Sequence, residues 1–174
     1  MPRGREVIRA SIDGFHRRRA ERYRRGADSA VGYYEDSFDY EALRRVVLDP
    51  LGPGGTCEYR RALFDFRTDT PRAEPAARAR EDAVLLFDGV FALRPELVDL
   101  WDLRIFVSVD PEEALRRALR RDAHLFGSRD EVERRYRTRY LPGQRLYFAA
   151  ARPEGRADLV VVNDDPSRPE LRES

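Results

Sequence analysis

Three apolar runs stand out from an otherwise polar chain, and each ends on an acid or an amide. Ala83-Val84-Leu85-Leu86-Phe87 leads into Asp88-Gly89, Leu103 to Val109 leads into Asp110-Pro111, and Leu159 to Val162 leads into Asn163-Asp164-Asp165-Pro166. Short continuous apolar runs predict buried strands, and the first has the form of a strand covered on both faces, as in a parallel sheet. Glu6 to Ile12 is β-branched and partly apolar and runs into Asp13-Gly14, so it predicts a further strand ending in a turn. Helical spacing appears at Leu43, Val46 and Val47, giving a helix over Phe38–Leu48 that stops before Pro50. Pro111–Arg121 places Ala114, Leu115, Ala118 and Leu119 on one helical face. Glu131–Tyr140 reads as a helix broken at Leu141-Pro142-Gly143 and resumed over Gln144–Ala151. Arg17 to Arg25 reads as a loop or a solvated helix, and Thr56 to Phe66 as one or two short strands. Strands alternating with helices imply an α/β fold with a parallel sheet. Ligands in such sheets bind beyond the carboxyl ends of the strands, where Asp13, Asp88 and Asp110 fall.

At 174 residues with 41% hydrophobic side chains, the chain is long enough to fold around a core. Charged residues make up 37%, yet 33 basic and 32 acidic groups leave a net charge of +1. That balance disfavours a nucleic-acid partner, including an RNA-binding role for Arg17 to Arg25. All the basic side chains are arginine, so a mechanism that needs lysine cannot run on these residues alone. Cys57 is the single cysteine, which excludes an internal disulfide and a cysteine zinc site and suits a cytoplasmic location. No apolar run nears a membrane span, and Met-Pro-Arg-Gly-Arg-Glu opens without a hydrophobic signal core.

Each candidate residue has a functional and a plainer reading. Asp13, beside a glycine at a strand end, suits a general base for a hydroxyl or a turn cap. Asp88 has the form of an acid that holds Mg²⁺ through water in phosphotransferases, although an apolar strand followed by an acid is a common pattern. Arg116, Arg117, Arg120, Arg121 and Arg129 match phosphate geometry, or pair with Glu112, Glu113 and Asp122 on a solvated face. Asp36 suits two neighbouring sugar hydroxyls or a helix N-cap. His16 and His124 are too far apart in sequence to suggest a metal site, and Tyr136, Tyr140 and Tyr147 suit packing.

Taken in order, four blocks resemble the uridine kinase family of P-loop phosphotransferases. They are Ser11-Ile12-Asp13-Gly14-Phe15-His16-Arg17, Asp36-Ser37-Phe38-Asp39, Leu85-Leu86-Phe87-Asp88-Gly89, and the arginine-rich helix running into Asp122. Arg139-Tyr140-Leu141-Pro142-Gly143-Gln144-Arg145-Leu146-Tyr147 is similar to bacterial uridine kinase-like proteins in particular. The resemblance implies a three-layer P-loop kinase-like fold forming one domain over residues 1–174, with an arginine-rich lid around residues 117–131. It implies ATP and Mg²⁺ as donor and metal. Asp13 becomes the catalytic base, Arg121 and Arg129 the groups closing on the phosphates, and Asp88 the metal acid. Asp36, Phe15, His16, Arg17, Phe64 and Arg117 are expected to bind the substrate.

The family's Gly-x-x-x-x-Gly-Lys-Ser/Thr segment is absent from these residues, and the chain starts where the family's second strand starts. The missing first strand would lie at the sheet's centre, so two half-sheets with unpaired inner edges are expected. The expectation is a truncated chain, inactive as given, whose natural form begins upstream and phosphorylates a nucleoside-like hydroxyl compound, with a homo-oligomer possible in principle. His16 stands where a tyrosine is common, and the usual His-Pro before Asp36 is lacking, which detaches the reading from uridine itself. The alternative is a non-catalytic binding or regulatory relative that has lost ATP binding.

Overall fold

A computed structural model of the protein describes residues 4–173; residues 1–3, part of the opening read above for a signal core, lie outside that range. In chain order the strands are β1 (Val7–Ser11), β2 (Glu58–Tyr59), β3 (Phe64–Asp65), β4 (Thr70–Pro71), β5 (Ala77–Arg78), β6 (Val84–Asp88), β7 (Ile105–Ser108), β8 (Leu159–Val162) and β9 (Glu170–Glu173). The helices are α1 (Arg19–Arg22), α2 (Ala30–Asp36), α3 (Tyr40–Leu43), α4 (Asp49–Leu51), α5 (Pro111–Arg121), α6 (Ala123–Phe126), α7 (Arg129–Arg135) and α8 (Leu141–Ala151). Among the described residues no helix is long and apolar enough to cross a membrane. The chain divides into two compact units, Met1–Arg24 with Glu35–Ala92, and Arg25–Tyr34 with Leu93–Ser174.

In the first unit β1 and β6 run parallel, in register from Val7 opposite Val84 to Ser11 opposite Asp88. Side chains alternate between faces, so Ile8 is buried with Tyr59 and Ala79 while Leu85 packs against that cluster. Leu86, on the opposite face, is 48% exposed. The expectation of a strand covered on both faces is therefore corrected for Ala83–Phe87: only one face has a covering layer among the described residues. β2 pairs with β5 and β3 with β4, both antiparallel.

In the second unit β7 and β8 are parallel and β9 joins β8 antiparallel. Val160 is buried, whereas Ile105 and Val107 are 51% and 52% exposed. The reading of Leu103–Val109 as a buried strand is therefore corrected: Phe106 and Ser108 are half-buried, and Ile105 and Val107 are exposed. The strands of the two units form separate sheets, and β6 and β7 each have one edge without a strand partner among the described residues.

Two prolines expected to end helices lie inside continuous helical stretches. Proline has no N–H, and its ring clashes with the carbonyl four residues back. Ahead of Pro50 the chain widens into a π turn over Arg44–Leu48, with Asp49 N–H donating to Arg44 O, and continues as α4. The Val46 carbonyl, which Pro50 cannot serve, accepts from Arg60 N–H at 3.0 Å. A second π turn, Tyr136–Tyr140, carries α7 into α8 across Pro142. Gly143 then serves packing, because a Cβ there would stand 2.6 Å from the Tyr33 ring.

Candidate active site at the tips of two parallel strands

The register of β1 and β6 brings Ser11 beside Asp88 at the carboxyl ends of both strands. Ser11 Oγ donates to Asp88 Oδ2 at 2.9 Å and accepts from Asp13 N–H at 3.3 Å. After β1 the chain makes one 3-10 turn, Ile12–Phe15, whose Ile12 and Phe15 are buried. Burying those two turns Asp13 out to solvent, and its carboxylate has no hydrogen-bond partner among the described residues. Asp13 and Asp88, both singled out in the sequence, thus follow or end neighbouring strands, with the Ser11 hydroxyl bonded to the Asp88 carboxylate and to the Asp13 backbone N–H. Ser11 was legible only as part of its block; its place as the last residue of β1, two before Asp13, is the signal that could have marked it. Gly89 permits the close approach, since a Cβ at that position would lie 2.6 Å from Ile12 Cβ.

The segment after Asp13 is pinned from both sides. Arg17 N–H donates to Ser37 O at 2.9 Å and Asp39 N–H to Phe15 O at 2.8 Å. The His16 ring lies 4.5 Å from that of Phe38 and 4.7 Å from that of Phe66. Its Nδ1 stands 3.0 Å from the Asp13 carbonyl, an acceptor, so Nδ1 carries the proton and donates. Burial holds the imidazole below its ordinary value of 6.5, outweighing the raising effects of that hydrogen bond and of the Asp13 charge.

This gives a pH dependence with a definite sign. Because the folded value is depressed, the unfolded chain takes up the proton first as the solution acidifies. The contribution is complete above the ordinary value of 6.5 and is lost as pH falls through the lower folded value. Between pH 7 and about 5 the melting temperature of the wild type should fall more steeply than that of His16→Phe. Parallel slopes would remove His16 as the cause.

Phe15, His16, Arg17 and Phe64, four of the expected substrate residues, line one cavity of about 250 Å³, with Arg18, Glu21, Asp39, Ala42, Arg45, Leu63 and Pro71 completing its wall. Asp13, Asp36 and Asp88 are not part of that wall. Asp36 ends α2, is 5% exposed, and accepts from Arg24 Nη2 at 2.6 Å. The N-cap alternative for Asp36 passes to Asp39, whose Oδ1 accepts from Ala42 N–H at 2.9 Å.

The expected lid arginines belong to the second unit. Arg117 donates from Nε to Glu113 at 2.7 Å and from Nη2 to the carbonyls of Asn163 and Asp164 at 2.7 and 2.8 Å, tying α5 to the end of β8. Arg121 grips Asp122 with two bonds of 2.6 and 2.8 Å. Arg129 opens α7 after the Ser128 cap, is exposed, and has no partner among the described residues. Hydrogen bonds from Arg116 and Arg117 bring the Glu113 carboxyl down to about 2. Asp110, the third strand-end acid, caps α5 by accepting from Glu112 and Glu113 N–H.

Among the described residues no three His, Cys, Asp or Glu side chains gather around a common metal position. Asp88 is exposed, and only its Oδ2 is engaged. One free carboxylate oxygen suits Mg²⁺, which keeps most of its water and takes one or two carboxylates alongside substrate phosphates.

No family model matches the chain. Over 170 residues it is 26% identical to uridine-cytidine kinase 2-B of Danio rerio, an alignment covering 91% of this chain. The chain spans 64% of that relative's length. Among solved structures, a possible uridine kinase from Bacillus stearothermophilus superposes with a TM-score of 0.66 at 20% identity, covering 90% of this chain and 72% of that one. Phosphoribulokinase from Rhodobacter spheroides does so with a TM-score of 0.63 at 19% identity, covering 91% and 61%. The α/β architecture with parallel strand pairs is the P-loop kinase fold shared by these neighbours.

Proposed function

We propose that the chain, similar to a uridine-cytidine kinase in sequence and to a possible uridine kinase and a phosphoribulokinase in fold, supplies the acceptor site of an ATP-dependent kinase acting on a hydroxyl of a nucleoside or similar small molecule. The observation carrying this reading is that Asp13 and Asp88 lie together at the ends of adjacent parallel strands, where the Ser11 hydroxyl bonds the Asp88 carboxylate and the Asp13 backbone N–H. Asp13 takes the proton of the acceptor hydroxyl as that oxygen bonds to the γ-phosphorus. The bond from phosphorus to the bridging oxygen breaks, and ADP leaves with its electron pair. Mg²⁺, when bound near Asp88, neutralises phosphate charge. Asp36, held in place by Arg24, is proposed to receive sugar hydroxyls. Arg117, Arg121 and Arg129 are proposed to meet the phosphates; Arg129 has no side-chain partner to give up among the described residues, whereas Arg121 is bound to Asp122 and Arg117 to Glu113 and to the carbonyls of Asn163 and Asp164.

Removing the shared hydroxyl tests the arrangement. Ser11→Ala in the full-length protein should raise the Mg²⁺ concentration for half-maximal turnover by about 10–100-fold, the usual scale for losing a group that orients a metal-binding side chain. An unchanged Mg²⁺ dependence would break the link between the two strand tips.

A second reading, a non-catalytic relative that binds the acceptor alone, is favoured by one observation. These 174 residues contain no lysine and no glycine-rich Lys-Ser/Thr segment to cradle a triphosphate. Calorimetry of the full-length protein with ATP and Mg²⁺ separates the two, since only the kinase binds the nucleotide.

A further inference from the structure

The cavity beside the β1 turn has a charge pattern that a neutral acceptor does not explain. Its floor is apolar, with Phe15, Ala42 and Phe64 all buried. Three arginines, Arg17, Arg18 and Arg45, and two acids, Glu21 and Asp39, line its wall. The carboxylates are already engaged: Asp39 caps α3 through Ala42 N–H, and Glu21 lies 3.8 Å from Arg17. Arg17 is engaged as well, its Nε donating to Phe38 O at 3.1 Å. Arg18 and Arg45 are different. Both are exposed, and neither guanidinium has a partner among the described residues. Arg104 and Arg121, by contrast, each hold a carboxylate with two donors.

We propose that this cavity takes a small anionic hydroxyl compound, a sugar or polyol carrying a phosphate or carboxylate, with the anion held by Arg18 and Arg45. The assignment rests on the kinase reading only for calling that compound the acceptor; the binding itself stands on the cavity. Guanidinium donors match phosphate and carboxylate oxygens and bond to them more strongly than to neutral groups. A volume of about 250 Å³, just under the ~300–1,000 Å³ of pockets for drug-sized ligands, has room for a molecule the size of a sugar phosphate. The wall also reaches the catalytic turn, since His16, which lines it, donates to the carbonyl of Asp13.

The test is calorimetry on the full-length protein without ATP, at constant ionic strength, with D-ribose 5-phosphate, D-gluconate and uridine as probes. Ribose 5-phosphate or gluconate should bind more tightly than uridine, and whichever binds better identifies the anionic group. Arg18→Gln with Arg45→Gln should weaken that binding by about tenfold or more, the loss of at least one charged hydrogen bond. Glu21→Gln, which removes a nearby negative charge, should tighten it. Uridine binding best, or anion binding indifferent to the double substitution, would overturn the proposal. Uridine phosphorylation without anion binding would sink this inference and leave the kinase reading intact. Anion binding without phosphoryl transfer would uphold the site and sink the kinase reading.

Discussion

Asp13→Asn in the full-length protein is expected to lower turnover by about 10²–10⁴-fold, the scale of a lost general base, with ATP affinity nearly unchanged. Asparagine keeps the shape of the side chain but cannot accept the acceptor's proton. The Asp13 carboxylate is exposed and makes no hydrogen bond among the described residues, so the fold does not depend on its charge. The backbone N–H of residue 13 still reaches Ser11 Oγ, and the link to Asp88 survives. Loss of turnover would therefore report chemistry rather than collapse. Steady-state kinetics with a parallel ATP titration make the distinction. A variant that keeps its turnover would remove Asp13 from the proton-transfer step.

The largest stability effect is expected away from the strand tips, at Arg139→Met. Arg139 sits in the π turn before α8 and is 2% exposed. Its Nη1 serves the carbonyls of Ala27 and Ser29 at 3.1 and 3.0 Å, with Gly26 at 3.5 Å, and its guanidinium lies 5.6 Å from the Tyr33 ring centroid. Methionine fills much of the volume but donates nothing, so the carbonyls of Gly26, Ala27 and Ser29 ahead of α2 lose that donor. A hydrogen bond from a charged donor contributes about 1.5–3 kcal/mol, and Arg139 makes more than one. The unfolding free energy should fall by roughly 2–4 kcal/mol in chemical denaturation. A loss below about 0.5 kcal/mol, the usual scale of surface substitutions, would show that these carbonyls find other donors.

The strand tips were legible because an apolar run halted by an acid and a glycine is a local pattern, and both Asp13 and Asp88 fall on it. Coverage of the second face was not legible. Whether Leu86, Ile105 and Val107 meet another layer depends on residues far from their own strands. Pro50 and Pro142 misled for a related reason. A proline forbids an ordinary helical turn, but it does not forbid a π turn whose freed carbonyl finds a distant donor such as Arg60 N–H. β9 left no trace because Glu-Leu-Arg-Glu pairs with β8 through its backbone and offers no apolar alternation. The arginines show the same limit. Composition marked Arg117, Arg121 and Arg129 alike, yet only a folded chain distinguishes a guanidinium gripping Asp122 from one with no partner.

Asp13 and Asp88 acting together on one phosphoryl group is the claim on which the rest depends. Its most direct measurement is transfer of the γ-phosphoryl group from ATP with Mg²⁺ by the full-length protein, screened across nucleosides, sugar phosphates and vitamins. The expected result is one hydroxyl compound phosphorylated by the wild type, with transfer nearly abolished in both Asp13→Asn and Asp88→Asn. Tight binding of ATP and Mg²⁺ with no acceptor phosphorylated, or transfer undiminished in either variant, would contradict it.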